Sequence, residues 1–447
     1  MRRRISAVAL AAGLAAVVAV TAPAAQAGPG GTDGTDRTDR AGRADTSALA
    51  QDQDPERVEY FSGPGAHPRH TTVPASAPLS AKQKATIADD GDVVPVVQAG
   101  PSDVKLDVVF IGDGYTAAQQ GDFHTDVRAK WSEMAAVEPY ASYEDLFNVW
   151  AVDAHSRQSG VSGDPTSDVR KDTALGSEFH CDGIERLLCV DTNKVEAYAS
   201  KAADPDLVVV LGNSAKYGGA GYFDITSPSG YDGIATASSD HADSDQVAVH
   251  ETGHSLGKLA DEYWYDDGGT YTGPEPGDLN LTKLSAAEMS AQKAKWYRWL
   301  GQPSPDGGTV GAYEGGGYHP RGLNRPTSDS IMRTLGREFN LPGREAMIAG
   351  FHRHAPVLSS TTPTDRRLRR TERVRVETSG RAQLRWYVDG REVRRARGES
   401  AVTPRALGVP ADGRPHTLTA RATDPTDAVR DPKLRAELLT GSLSWHC

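Results

Sequence analysis

Short apolar runs, dominated by Val, Leu, Ile and Phe, mark buried strands along this chain. Residues 104–111, 147–152 and 206–211 are predicted strands, the first of them closed by Gly112-Asp113-Gly114. Residues 234–238 read as an edge strand. Longer stretches with helical spacing lie between and after them: 116 to about 136, opened by Thr116; 247 to about 259; 285–300, where Ser285 and Glu288 form a capping box; and 344–352. Alternating strands and helices predict an α/β layer. After a Pro/Ser/Thr-rich stretch at 356–365 the period changes to two. Residues 374–376, 383–388 and 417–421 are short strands, with turns at Asp389-Gly390 and Asp412-Gly413, which predicts a small β-sandwich over 365–447.

The N-terminus carries a different signal. Arg2, Arg3 and Arg4 precede an apolar run over 5–20, and Ala25-Gln26-Ala27 offers the small residues a signal peptidase needs. Residues 1–27 are therefore expected to be a signal peptide cut before Gly28, leaving a secreted, extracellular protein without a membrane anchor. Residues 28–55 are poor in apolar side chains and read as a disordered leader. Residues 56–102 read as a small lead-in or a pro-segment. That stretch holds no cysteine, so any latency it imposes cannot use a thiolate on a metal. The three cysteines are Cys181, Cys189 and Cys447; in an exported chain the close pair Cys181 and Cys189 is expected to form a disulfide, leaving Cys447 over.

Charge is uneven along the 447 residues. Residues 28–364 hold 28 basic and 49 acidic side chains, whereas 365–447 hold 18 basic and 11 acidic. An acidic body argues against nucleic acid as a partner.

One chemical motif stands out. His250-Glu251-Thr252-Gly253-His254 puts two imidazoles at i and i+4 on one face of a predicted helix, where they can share a Zn²⁺ ion. Glu251 between them is placed to act as general base on water. The plainer reading is a helix with two surface His and a salt-bridged acidic end. Asp261 and Glu262 follow, beyond Gly257, where a glycine lets the chain turn. A catalytic zinc needs a third protein ligand. Asp261 is the first candidate, being close to the His face on a continued helix and within reach if the chain turns; Glu262 is second and His241 third. Met332, in Ser330-Ile331-Met332-Arg333, is a candidate for a methionine packed beneath such a site.

Taken together, VVFIGDGYT (108–116), YGGAGY (217–222), HETGHSLGKLADEY (250–263) and SIMR (330–333) resemble the M64 metallopeptidases, known as IgA peptidases, over about residues 103–355. The resemblance implies an α/β (α+β) metzincin-like metallopeptidase domain, here 103–358, with a C-terminal immunoglobulin-like β-sandwich at 365–447. It implies His250 and His254 as zinc ligands, Glu251 as the catalytic residue, one Zn²⁺ per chain, Met332 as the Met-turn, and protein or peptide substrates. The chain departs from the usual metzincin pattern twice. The position of the third ligand is Ala260, which cannot bind metal, and the tyrosine two residues past the Met is Thr334. An oxyanion-stabilising phenol must then come from elsewhere, with Tyr313 and Tyr318 as candidates, while Tyr217 is expected to shape a substrate edge. The expected activity is that of a secreted zinc-dependent endopeptidase. The alternative is a secreted binding or adhesion protein with a structural metal, whose site would be closed by four protein ligands.

Overall fold

The computed structural model describes residues 54–447 except Asp224 and Thr226, so the expected signal peptide and nearly all of the leader lie outside the described residues. Eight strands build one mixed sheet: β1 (Glu56–Tyr60), β2 (Arg69–Val73), β3 (Val93–Val97), β4 (Leu106–Asp113), β5 (Phe147–Val152), β6 (Leu207–Gly212), β7 (Gly219–Tyr222) and β8 (Ile234–Ser238). Their order is β2-β1-β7-β8-β6-β4-β5-β3. The inner strands β8, β6, β4 and β5 run parallel, and antiparallel strands extend both sides. Both faces of the parallel strands are covered, which is why those strands read as near-continuous apolar runs.

Helices α1 (Ala81–Ala88) and α3 (Thr192–Ala199) cover one face. Helices α2 (Gln120–Ala135), α4 (Asp245–Ser255) and α6 (Leu341–His354) cover the other, around Phe123, Trp131, Val249, Met347 and Phe351. Helix α5 (Ala286–Gln292) has the predicted capping box at Ser285 but ends early, because Lys293 adopts left-handed backbone angles. Helix α4 is also shorter than its apolar pattern predicts, stopping at Ser255 instead of running to 259.

Strands β1 and β3 belong to the main sheet, so residues 56–102 are built into the same layer as the residues that follow. The sequence reads this stretch as a small lead-in or a pro-segment, and its few apolar residues give no sign of which strands it pairs with.

The GDGYT motif pins a long connection to the end of β4. Buried Asp113 accepts hydrogen bonds from Thr173 Oγ1, Leu175 N and Ser177 N at 2.8–2.9 Å. It thereby holds the loop that carries the disulfide between Cys181 and Cys189.

In the C-terminal part, Gln383–Val388, Arg391–Glu392, Thr417–Thr423 and Thr440–His446 form a four-stranded antiparallel sheet around Trp386 and Trp445. Two further two-stranded pairs lie beside it in sequence. These pairings do not by themselves establish an immunoglobulin-like sandwich, which stays an implication of the family resemblance. The boundary read near 365 is crossed by side chains. Val429 and Leu439 are buried in the same core as α2 and α6. The Tyr143 hydroxyl donates to Asp424 at 2.8 Å, and Glu345 on α6 accepts from the backbone N–H of Arg430 and Asp431 at 2.7 and 2.6 Å. Leu439→Ala is accordingly expected to destabilise the whole described unit by about 2–4 kcal/mol. Thermal unfolding should show one transition, shifted down; two transitions with only the later part of the chain weakened would contradict a shared core.

Candidate metal centre

Helix α4 lies across the sheet face next to β7 and β8 and carries the pentad. Its first turn holds Asp245, suited to the positive helix end, and Asp245 pairs with Lys130 of α2. His250 and Glu251 are buried, and His254 is nearly so. Three residues past the helix end, Lys258, at φ +51°, turns the chain back. The turn is tied by Lys258 N to His254 O and by Leu259 N to Gly253 O, both at 3.1 Å. That reversal, and not a continued helix, brings Asp261 beside the imidazoles.

The two His rings are held in one tautomer. His250 Nδ1 donates to the Ile331 carbonyl at 2.8 Å, and His254 Nδ1 donates to the Leu259 carbonyl at 2.7 Å. Both Nε2 atoms therefore face a common space and sit 3.2 Å apart, where a bound cation would take their lone pairs in place of protons. Asp261 Oδ1 lies 3.3 Å from His250 Nε2 and 3.4 Å from His254 Nε2. A fourth group arrives from far upstream. Glu59 on β1 places Oε1 3.4 Å from His250 Nε2 and Oε2 3.2 Å from His254 Nε2. Glu59, His250, His254 and Asp261 together form a cluster that could hold a metal ion.

Two facts favour a cation there. Glu59 Oε2, Asp261 Oδ1 and Glu251 Oε1 are buried without hydrogen-bond partners, which is costly for carboxylates. Burial alone would keep both imidazoles neutral, but the carboxylates of Glu59 and Asp261 outweigh it, raising His250 to about 10 and His254 well above its ordinary value. The cluster draws positive charge, and its donor set of two imidazoles and two carboxylates suits a divalent metal.

Surrounding groups fix these donors. Tyr318 donates its hydroxyl to Asp261 Oδ2 at 2.7 Å, leaving Oδ1 for the cluster, and Tyr263 donates to Glu59 Oε1 at 3.0 Å. Of the two candidate phenols, Tyr318 is at the site, whereas Tyr313 bonds its hydroxyl to Thr309 O. Glu262 points away. It accepts from Ser330 Oγ at 2.7 Å and from Asn280 Nδ2 and Asn340 Nδ2 at 3.0 Å each, tying three segments together. Its backbone N–H bonds Met332 O at 2.8 Å. His241 caps a short turn before α4 and is outside the cluster. Met332 is buried beneath α4, with its sulfur 2.4 Å from where a Cβ on Gly253 would stand.

Glycines bring β7 equally close. A Cβ on Gly221 would fall 1.6 Å from Glu251 Oε2, so only glycine admits the Glu251 carboxylate at this point. Gly218 and Gly219 are packed against Phe179 and Thr236 O, and Gly219 opens β7. Tyr217 lies at that end of the strand, edge-on to His241.

The IgA Peptidase M64 family model matches residues 94–307 and 300–351, more than half of the chain. The chain belongs to this family. No curated protein matches it. As a member of a metal-dependent peptidase family it acts on protein or peptide substrates, and the matched residues include His250, Glu251, His254, Asp261 and Met332. Glu59 precedes them. In this M64 chain Asp261 and Glu262 make a sharp pair for a test. Asp261→Ala is expected to weaken metal binding by about 100-fold or more while leaving the fold in place. Glu262→Ala should keep the metal but lower the melting temperature, since each buried donor left without its acceptor costs about 1–3 kcal/mol. Metal content after dialysis against graded chelator, read beside the melting curves, separates the two.

Proposed function

We propose that the protein is a secreted zinc-dependent endopeptidase. The observation that carries this reading is the juxtaposition of a metal-ready donor cluster with an unpartnered buried carboxylate oxygen on Glu251. The donor separations of 3.2–3.4 Å match the edge of a tetrahedron with bonds of about 2.0–2.1 Å, the geometry zinc adopts. His250, His254 and Asp261 would hold the ion. Bound there, zinc would supply Lewis acidity, bringing water at its open position to a pKa near neutral and polarising a peptide carbonyl.

The chain's own groups do the rest. Glu251 takes the proton from the attacking water and hands it to the leaving amine. Burial first, and then the Glu59 charge, raise its pKa above that of an ordinary carboxylate. Tyr318, which donates to Asp261, orients that carboxylate. A cavity of about 490 Å³ adjoins His254, with Leu259, Leu281 and Leu323 in its wall, and suits an apolar substrate side chain. The signal-peptide-like N-terminus supports secretion.

A second reading, a binding protein with a structural metal, is favoured by the four protein groups that surround the cluster, since catalytic zinc keeps one position open. Cleavage profiling of a peptide mixture by the zinc-loaded chain, with and without a zinc chelator, tests the first reading. Internal cleavages that vanish with chelator and return with zinc are expected. A chain that holds one metal yet shows no chelator-sensitive cleavage, as wild type or as Glu59→Ala, is the structural-site protein instead.

A further inference from the structure

Glu59 reaches the metal cluster from a strand that is out of place for a fixed ligand. Strand β1 meets the rest of the sheet only through β7, where Val58, Glu59 and Tyr60 lie antiparallel to Tyr222, Gly221 and Ala220. Beyond β1 lies only β2, at the sheet edge. The hairpin is thus a terminal addition, and lifting it away cuts no other strand pairing. Strand β7 is the strand that touches Glu251, through Gly221. Whatever pairs with β7 at Gly221 runs past both the general base and the metal donors.

The side chains of this segment alternate as those of a bound extended peptide would. Val58 and Tyr60 face the opposite core. Arg57, Glu59 and Phe61 face the site. The Arg57 guanidinium lies over the rings of Phe223 and Tyr318, at 5.1 and 5.6 Å. Phe61 is buried with Tyr217 and Val247, its ring edge-on to His250 at 5.4 Å. Between them, the Glu59 carboxylate spans both Nε2 atoms. His70, directly across the hairpin from Glu59, also faces the cluster, with Nε2 3.3 Å from the Tyr318 hydroxyl. The tether from β2 to α1, residues 74–80, is irregular and exposes Pro74, Ala77 and Pro78.

We infer that residues 56–73 form a built-in occluding hairpin. β1 lies along β7 in the place of an extended peptide substrate, and Glu59 takes the metal position that water needs. The inference rests on the peptidase reading of the same site. It resolves the four-donor cluster: three donors belong to the catalytic site and one to its plug.

The test uses the full chain loaded with Co²⁺ or Zn²⁺, as wild type, Glu59→Ala and the near-isosteric Glu59→Gln, which guards against a folding failure of the first. Both variants are expected to keep one metal per chain, because three ligands remain. Azide should perturb the visible Co²⁺ spectrum of the variants and not that of the wild type. Glu59→Ala cut within the 74–80 tether at an engineered protease site, so that β1 can leave β7, should show chelator-sensitive peptide hydrolysis roughly tenfold or more above the uncut wild type. Metal lost from both variants would make Glu59 a structural ligand and overturn the inference. So would a wild-type spectrum that already responds to azide as the variants do. A cut chain that responds to azide and hydrolyses nothing would leave the occlusion standing and bring down the peptidase reading.

Discussion

Glu251→Gln and Glu251→Ala are expected to abolish most peptide hydrolysis, by about 10²–10⁴-fold, while the metal stays bound. Glu251 is not among the four groups that face one another across the metal position. Its nearest constraint is steric, the strand β7 at Gly221. Removing a buried carboxylate whose Oε1 has no hydrogen-bond partner leaves no donor stranded at that atom, so folding should not suffer. The lost rate corresponds to about 3–5 kcal/mol of barrier, the part supplied by a base in place at the moment of attack. Measuring kcat/KM and metal stoichiometry on the same preparations, in the wild-type and the Glu59→Ala backgrounds, checks both halves. Near-wild-type turnover in a metal-loaded Glu251 variant would remove the mechanism, whereas loss of metal would mean that Glu251 is a ligand.

The pentad was legible in the sequence because its chemistry is local. Two imidazoles four residues apart share a helix face whatever the rest of the fold does. The parallel strands were legible for a similar reason, since burial on both faces leaves an unbroken apolar run. Asp261 was legible only as one of three candidates. Its position depends on how the chain reverses after Ser255, and the left-handed turn falls on Lys258, not on the glycine at 257 that draws the eye. Glu262, one residue on, has the same chemistry but is engaged by Asn280, Ser330 and Asn340 from three other segments, a network no local pattern reports.

Glu59 had no signal at all. Nothing in a short segment with mixed polarity says that its strand will pair with one more than 150 positions later. It is the free side of β7 that β1 takes up, from far upstream in the sequence. The same limit hid the shared core at 424–439, where a period-two pattern announces strands but not what the connections between them pack against.

Gly221→Ala puts the link between β7 and Glu251, the proposed general base, to the proof. The added methyl would sit 1.6 Å from Glu251 Oε2 and 2.0 Å from its Cδ, far inside any tolerable contact. Either β7 retreats, which its pairing with β8 and β1 resists, or the Glu251 side chain swings away. The side chain is the softer element, because a carboxylate rotates more readily than a paired strand moves. A displacement of about 1 Å in a reacting group costs roughly 10²-fold in rate. Gly221→Ala is therefore expected to lower kcat/KM by about that factor and to keep the metal, since no metal donor is touched. A stability cost of about 1–3 kcal/mol for overpacking should accompany it. A damaged strand and a misplaced base are told apart by a double variant. If Gly221→Ala acts by moving Glu251, adding it to Glu251→Ala should cost little further activity, because the group it displaces is already gone. Additive losses in the double variant would mean that β7 acts on the reaction by itself, through the substrate that pairs with it.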